Sequence, residues 1–253
     1  MGILQEGEAP PLELCNADGK ADFVLICEHA GKQIPRSYGD MGLSAADLQR
    51  HIAWDIGARQ LALALSQHLD APLFAQRYSR LLCDCNRRPQ AADFVPKRSE
   101  DTDIPANQKV SEEEKTARAE AVFWPFHRAV SEALDRRKAA GKRTLLVTVH
   151  SFTPVFLGKS RPWQIGVLYN RDAAFSPAML HWLRRHTDYC VGDNEPYRAG
   201  DTTDYAIPIH GEARSLPCCE LEIRNDLLQS PQNIQQWADL LGKALTEVAR
   251  TLP

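Results

Sequence analysis

The chain has 253 residues, 43% of them hydrophobic and 25% charged, with 30 Lys+Arg against 33 Asp+Glu for a formal charge of -3. That length can bury a substantial core in one large domain, and the balance excludes disordered and fibrous classes. Without a global basic field to grip phosphates, the composition also tells against nucleic acid as a partner.

The first twenty residues, "MGILQEGEAPPLELCNADGK", lack the basic and long apolar regions of a secretory signal. No apolar run approaches the ~20 residues of a membrane span. These features predict a cytoplasmic protein with no membrane partner, carrying an N-terminal extension over 1–20 on a single domain that fills 1–253. "MGILQE" has Glu6 where a myristoylation signal wants Ser or Thr. Seven cysteines, an odd number with no repeated C-x-x-C pair, read as reduced and mostly buried thiols.

In chain order, "ADFVLICEH" predicts a short buried strand ending at Glu28-His29. "SAADLQRHIAWDIGARQLALALSQHL", Ser44 to Leu69, has apolar residues at helical intervals behind a Ser N-cap, with a break near Gly57. "APLFAQRYSRLLCDCNRRP" reads as one or two strands running into the polar cluster Asp84, Asn86, Arg87. Residues 90–110, rich in acids and prolines, predict a surface loop or lid. A helix follows over about Ser111 to Ala140, opened by the acid-rich "SEEE", closed at Gly141 and kinked at Pro125. "RTLLVTVHS" is a strand delivering His150 and Ser151, "WQIGVLYNR" another strand, and "SPAMLHWLRRH" a helix. The last strand, "CCELEI", ends near Glu222 and Arg224, and a closing helix runs from about Pro231 to Leu252. Strands alternating with helices predict an α/β fold, a mostly parallel or mixed sheet covered by helices on both faces.

In such folds sites form at the carboxyl ends of strands. Glu28-His29, Asp84-x-Asn86-Arg87, His150-Ser151 and Glu222-x-Arg224 all follow apolar runs, and each would be costly inside a sheet without a partner. Two imidazoles and a carboxylate can hold a catalytic zinc or similar divalent ion with one position left for water. His29 and His150 are the imidazoles. Asp55, expected on the helix after the first strand, is the favoured carboxylate, with Glu28 the alternate because adjacent strand residues face opposite ways. Glu222 fits a general base and acid beside the metal. Arg80, Arg87 and Asn86 offer forked donors to an anionic small-molecule substrate. Ser151 is placed with the substrate-contacting residues and not as a nucleophile, since no G-x-S-x-G elbow surrounds it.

The ordered set "CEHAGKQIP", "HIAWDIGA", "RYSRLLCDCNRRP", "VTVHSF" and "HGEARSLPCCELEIRNDLL" resembles the N-formylglutamate amidohydrolase family over about residues 22 to 250. That family is distantly similar to the zinc carboxypeptidases and aminoacylase-like amidohydrolases. The resemblance implies metal-dependent hydrolysis of an N-acyl amino acid such as N-formyl-L-glutamate. It implies metal ligands at His29 and His150, Asn86-Arg87 at the substrate carboxylate, Glu222 as the catalytic carboxylate and His210 at the scissile carbonyl or the substrate; Arg224, two residues after Glu222, is placed with the substrate-binding residues. Two departures stand out. His29 is followed by Ala30, Gly31 and Lys32 where the carboxypeptidases use His-x-x-Glu, so the carboxylate ligand does not transfer. "CEHAG" replaces Pro-His-Ser-Gly and resembles a divergent branch. The missing His-x-x-Glu leaves, as the alternative, a non-catalytic small-anion-binding protein that retains the fold.

Overall fold

Alternation of side chains along buried strands organises the molecule, and the computed structural model shows it for residues 2–252. The two ends of the expected 1–253 domain, Met1 and Pro253, lie outside the described residues. In chain order come β1 (Leu12–Cys15), β2 (Phe23–Cys27), α1 (Ala58–Leu69), β3 (Leu73–Gln76) and a small hairpin of β4 (Arg98–Ser99) and β5 (Thr102–Asp103). Next are α2 (Glu112–Arg118), α3 (Trp124–Ala139), β6 (Leu145–Phe152) and a second small hairpin, β7 (Val155–Phe156) with β8 (Lys159–Ser160). The chain ends with β9 (Ile165–Leu168), α4 (Phe175–His186), β10 (Val191–Asp193), β11 (Cys218–Arg224) and α5 (Pro231–Ala249).

Seven strands form one mixed sheet in the order β1-β3-β2-β6-β11-β9-β10. The four central strands β3, β2, β6 and β11 are parallel, while β1, and β9 with β10, run the other way. The carboxyl ends of four strands therefore share one rim. In β2, β6 and β11 the residues Leu25, Cys27, Val147, Val149, Leu221 and Ile223 face the core made with α1, α4 and α5. Their neighbours Val24, Ile26, Leu146 and Cys218 face the core under α3. By the same period of two, Thr148, His150, Glu220 and Glu222 project toward the α3 side, and the register sets Glu222 beside His150 and Glu220 beside Thr148.

Several expected elements take a different form. The expected extension over 1–20 is, in its described part, more than that, because β1 adds a strand to the sheet edge by pairing with β3. The helix expected from Ser44 begins only at Ala58. Gly57 adopts φ +85°, and a Cβ there would lie 2.5 Å from the Cβ of Leu228, so the chain turns through residues 51–57 instead. Asp55 thus sits in the turn before α1 and not on a helix. Around Pro125, which cannot donate to the ladder, a wide π turn over Ala119–Phe123 joins α2 to α3 and takes up the mismatch. Segment 90–110 carries the β4–β5 hairpin but is pinned by buried Phe94, Ile104 and Asn107, whose amide donates to the carbonyls of Leu81 and Pro96. All seven cysteines are free, five of them buried. Among the described residues, no helix is long and apolar enough to cross a membrane.

Gly57→Ala should lower stability by roughly 2 kcal/mol, since it combines a left-handed φ with a backbone-fixed clash. Urea denaturation checks this, and a midpoint unchanged from the parent would rule out the strain assigned to this turn.

Candidate functional site

The turn after β2 brings His29 onto the rim, and Gly31 makes that turn possible: any Cβ there would lie 1.9 Å from the carbonyl oxygen of Arg77. The turn before α1 is tied to it, with the backbone N–H of Asp55 donating to the carbonyl of His29 at 3.0 Å. From β6 comes His150. His29, Asp55 and His150 are all buried, and one ligand atom from each lies within 4.8 Å of the others. Asp55 Oδ2 is 2.8 Å from His150 Nδ1 and 3.4 Å from His29 Nδ1.

The far nitrogen of each ring has its own carboxylate. His29 Nε2 is 2.7 Å from Asp84 Oδ1, and His150 Nε2 is 3.1 Å from Glu28 Oε2. When each Nε2–H donates to that carboxylate, both Nδ1 atoms present bare lone pairs toward Asp55, so three acceptors converge with no hydrogen among them. Such an arrangement is repulsive unless a proton or a metal cation sits between them. His29 Nδ1 is buried without a hydrogen-bond partner. Two imidazole nitrogens and a carboxylate oxygen, each imidazole oriented by an outer carboxylate, form a donor set that fits a divalent cation of the zinc type.

The local field follows from burial and proximity. Burial raises the Asp55 carboxyl, but His29 and His150 outweigh it and hold it below the usual carboxylate range. Burial also opposes ionisation of Asp84, yet Arg80 and His29 hold that carboxyl well below normal. Burial disfavours imidazolium at both histidines, but Glu220, Asp55 and Glu28 pull His150 up; at His29, Asp84 and Asp55 overcome burial and Arg80. Burial pushes Glu222 well above its ordinary value, and Asp55 and Glu220 add to it against His150 and Arg80. Glu220 is pushed up by burial to about 7.

His29, Asp55, His150, Glu220 and Glu222 line one cavity of about 370 Å³, which is walled also by Arg80, Arg87, Asn86, Ser151, Ser99, His51, Tyr197, Arg198 and Asp204. Of the sequence-derived candidates, His29, Asp55, His150, Glu222, Arg80, Asn86, Arg87 and Ser151 meet there. Three do not. Glu28 has the same strand parity as Ile26, so it reaches His150 from behind and cannot replace Asp55 among the converging atoms. His210, on a π turn over Ala206–Gly211, is buried against α3 outside the cavity, with Nε2 2.9 Å from His127 Nδ1. Arg224 ends β11 and turns to Asp226, 2.8 Å away, because that carboxylate follows two residues later.

Asn86 lines the cavity with both ends of its amide engaged. Nδ2 donates to Asp204 Oδ1 at 3.2 Å and Glu220 Oε2 at 3.5 Å, and Oδ1 accepts from the backbone of Tyr205 and Ala206. The Ser151 hydroxyl donates to the carbonyl of Ile56 at 2.8 Å. Sequence reasoning missed Glu220, although its position two residues before Glu222 places both on one face of the strand. Asp204 and Tyr197 come from an irregular stretch that carries no periodic signal.

Residues 21–229 match the sequence pattern of the family described as N-formylglutamate amidohydrolase. No curated protein matches the chain. The crystal structure of a gene product from Agrobacterium tumefaciens superposes with a TM-score of 0.95 at 38% identity, covering 98% of each chain. N-formylglutamate amidohydrolase from Ralstonia eutropha superposes with a TM-score of 0.69 at 17% identity over 96% of this chain and 98% of that one, a likeness of fold.

With metal stripped by chelator, Glu220→Gln should alter stability in a pH-dependent way. A carboxyl raised from 4.5 to about 7 in the folded state lends stability that is fully present below 4.5 and lost as pH rises through 7. The variant should therefore gain on the order of 2 kcal/mol over the parent between pH 5 and pH 8. Urea midpoints at the two pH values measure it, and an equal offset at both would contradict the buried, raised carboxyl.

Proposed function

Since the chain belongs to the N-formylglutamate amidohydrolase family, whose members hydrolyse amide C–N bonds, we propose that it is a metal-dependent amidohydrolase of small N-acyl amino acids. N-formyl-L-glutamate, the substrate in the family's name, is the reference compound, with formate and the free amino acid as products. The observation that carries metal dependence is the convergence of His29 Nδ1, His150 Nδ1 and Asp55 Oδ2, with His29 Nδ1 left unpartnered. The alternative of a bare anion-binding pocket rested on the missing His-x-x-Glu, and Asp55 offers both imidazoles a carboxylate oxygen without that pattern.

His29, Asp55 and His150 would hold the cation, zinc by its preference for nitrogen and oxygen donors. Such an ion, when bound, lowers the pKa of water toward neutrality and polarises a carbonyl. The protein's own groups do the rest. Asp84 and Glu28 keep the two imidazoles in the tautomer that turns Nδ1 inward. Glu222 Oε2 is buried and has no hydrogen-bond partner, so it is free to exchange a proton with water or substrate. Burial, which raises its pKa, suits a carboxyl that takes a proton from the attacking water and returns it to the departing nitrogen. Arg87 and Arg80 present planar donors to the substrate's carboxylate. Asn86 braces the cavity by tying Asp204 to Glu220, and Ser151 holds the turn at Ile56 against β6.

Purified protein should release formate from N-formyl amino acids, stop with chelator and recover with zinc. Glu222→Gln should lower kcat by 10²- to 10⁴-fold with zinc content unchanged by elemental analysis, while His29→Ala should lose the zinc itself. Turnover unaffected by chelation, or a Glu222→Gln variant at parental rate, would remove this mechanism.

A further inference from the structure

The charges at this rim do not balance. Six carboxylates are buried there, Glu28, Asp55, Asp84, Asp204, Glu220 and Glu222. Two arginines face them, and both are already engaged. Arg80 lies 2.7 Å from Asp84 and 3.5 Å from Asp55, and Arg87 is held by Asp93 and by the carbonyls of Asn86 and Thr203. A divalent cation at His29, Asp55 and His150 would still leave two carboxylates without a compensating charge, which burial penalises.

The uncompensated groups lie together. Asp55 and Asp84 have Arg80, and Glu28 has His150. Glu220 accepts only from neutral donors, Thr148 Oγ1 at 3.2 Å and Asn86 Nδ2 at 3.5 Å, both on Oε2; the nearest imidazole nitrogen is 3.9 Å away. Asp204 is likewise bound by neutral groups, Asn86 Nδ2, Thr203 Oγ1 and the backbone N–H of Gly200. Independently of that pair, Glu222 Oε2 is buried, unpartnered and on a residue lining the same cavity. Among the described residues, Glu222 Oε2 is without any donor, while Glu220 and Asp204 have donors but no cation among them. Arg198, also on the cavity wall, is exposed and makes no salt bridge among the described residues, so the cavity has a cationic mouth and an acidic interior.

Resting on the amidohydrolase reading above, we propose that the Glu220–Asp204 wall is a side-chain subsite for a cationic group, so that the preferred substrates are N-formyl amino acids bearing an amine or guanidine. The α-carboxylate then lies toward the arginines. A second carboxylate, as in N-formyl-L-glutamate, would meet the acidic wall.

The zinc-loaded full chain should be assayed with the N-formyl derivatives of lysine, arginine, glutamine, methionine and glutamate. The expected kcat/KM for lysine or arginine exceeds that for glutamate at least tenfold, with glutamine and methionine between. Glu220→Gln should cut the lysine-to-glutamate ratio at least tenfold. That ratio is taken on one sample, so partial unfolding or metal loss cancels, a cancellation a merely structural role for Glu220 would not survive. Equal or better turnover of the glutamate derivative overturns the proposal, as does a ratio untouched by Glu220→Gln. A second zinc per chain that disappears in Glu220→Gln also overturns it, by making the wall a metal site. Should no derivative turn over, the hydrolytic reading fails separately, and calorimetric binding of free lysine and glutamate decides the subsite: lysine at least tenfold tighter supports it, and equal, reversed or undetectable binding overturns it.

Discussion

The structure at the rim turns on one carboxylate oxygen, Asp55 Oδ2, which stands within 3.4 Å of two imidazole nitrogens from chain segments far apart in sequence. Asp55 is positioned by a turn that Gly57 permits, by a backbone bond to His29 and by Arg80 on its other oxygen. Were either ring to flip, its outer nitrogen would lose Asp84 or Glu28; Asp84 would keep Arg80, but Glu28 would be left a buried carboxylate without a partner, which is strongly destabilising. The imidazoles are thus locked in orientation by the protein's own groups.

That lock depends on the sheet. Four parallel strands end at one rim, and a period of two decides which residues face the α3 side. Thr148, His150, Glu220 and Glu222 share that face through the β6–β11 register, and Glu28 joins them by parity with Ile26. Buried polar groups concentrated on one face are tolerated because they satisfy one another, with Asn86 joining Asp204 on the irregular wall to Glu220 on the strand. Among the described residues, four buried side-chain atoms are left without a partner, Glu28 Oε1, His29 Nδ1, His210 Nδ1 and Glu222 Oε2, and those of His29 and Glu222 belong to residues that line the cavity, where the proposed function would supply a cation and a reacting group.

The histidines His127 and His210 show the same logic used for packing. Burial pushes His127 down to about 4, and together with His127 and Arg214 it lowers His210 well below normal. Both rings are therefore neutral, and their mutual hydrogen bond with the one from His127 to the Cys85 carbonyl fixes the segment leading into Asn86. His210 belongs to a family motif without touching the cavity, so its sequence context suggested contact with substrate while its surroundings assign it to the frame behind the site.

The sequence by itself determined the strands, the helices and which chain segments end in polar residues, because periodicity and buried apolar runs are local properties. His29, His150, Glu222 and the Asp84–Arg87 cluster were legible for that reason, and so was the family. Only the tertiary structure set Asp55, and not Glu28, beside the inward nitrogens of both imidazoles, brought β1 from an apparent extension into the sheet and placed Glu220 with Asp204. Those outcomes depend on strand register and loop approach, contacts between residues tens to more than a hundred positions apart. No local pattern encodes them.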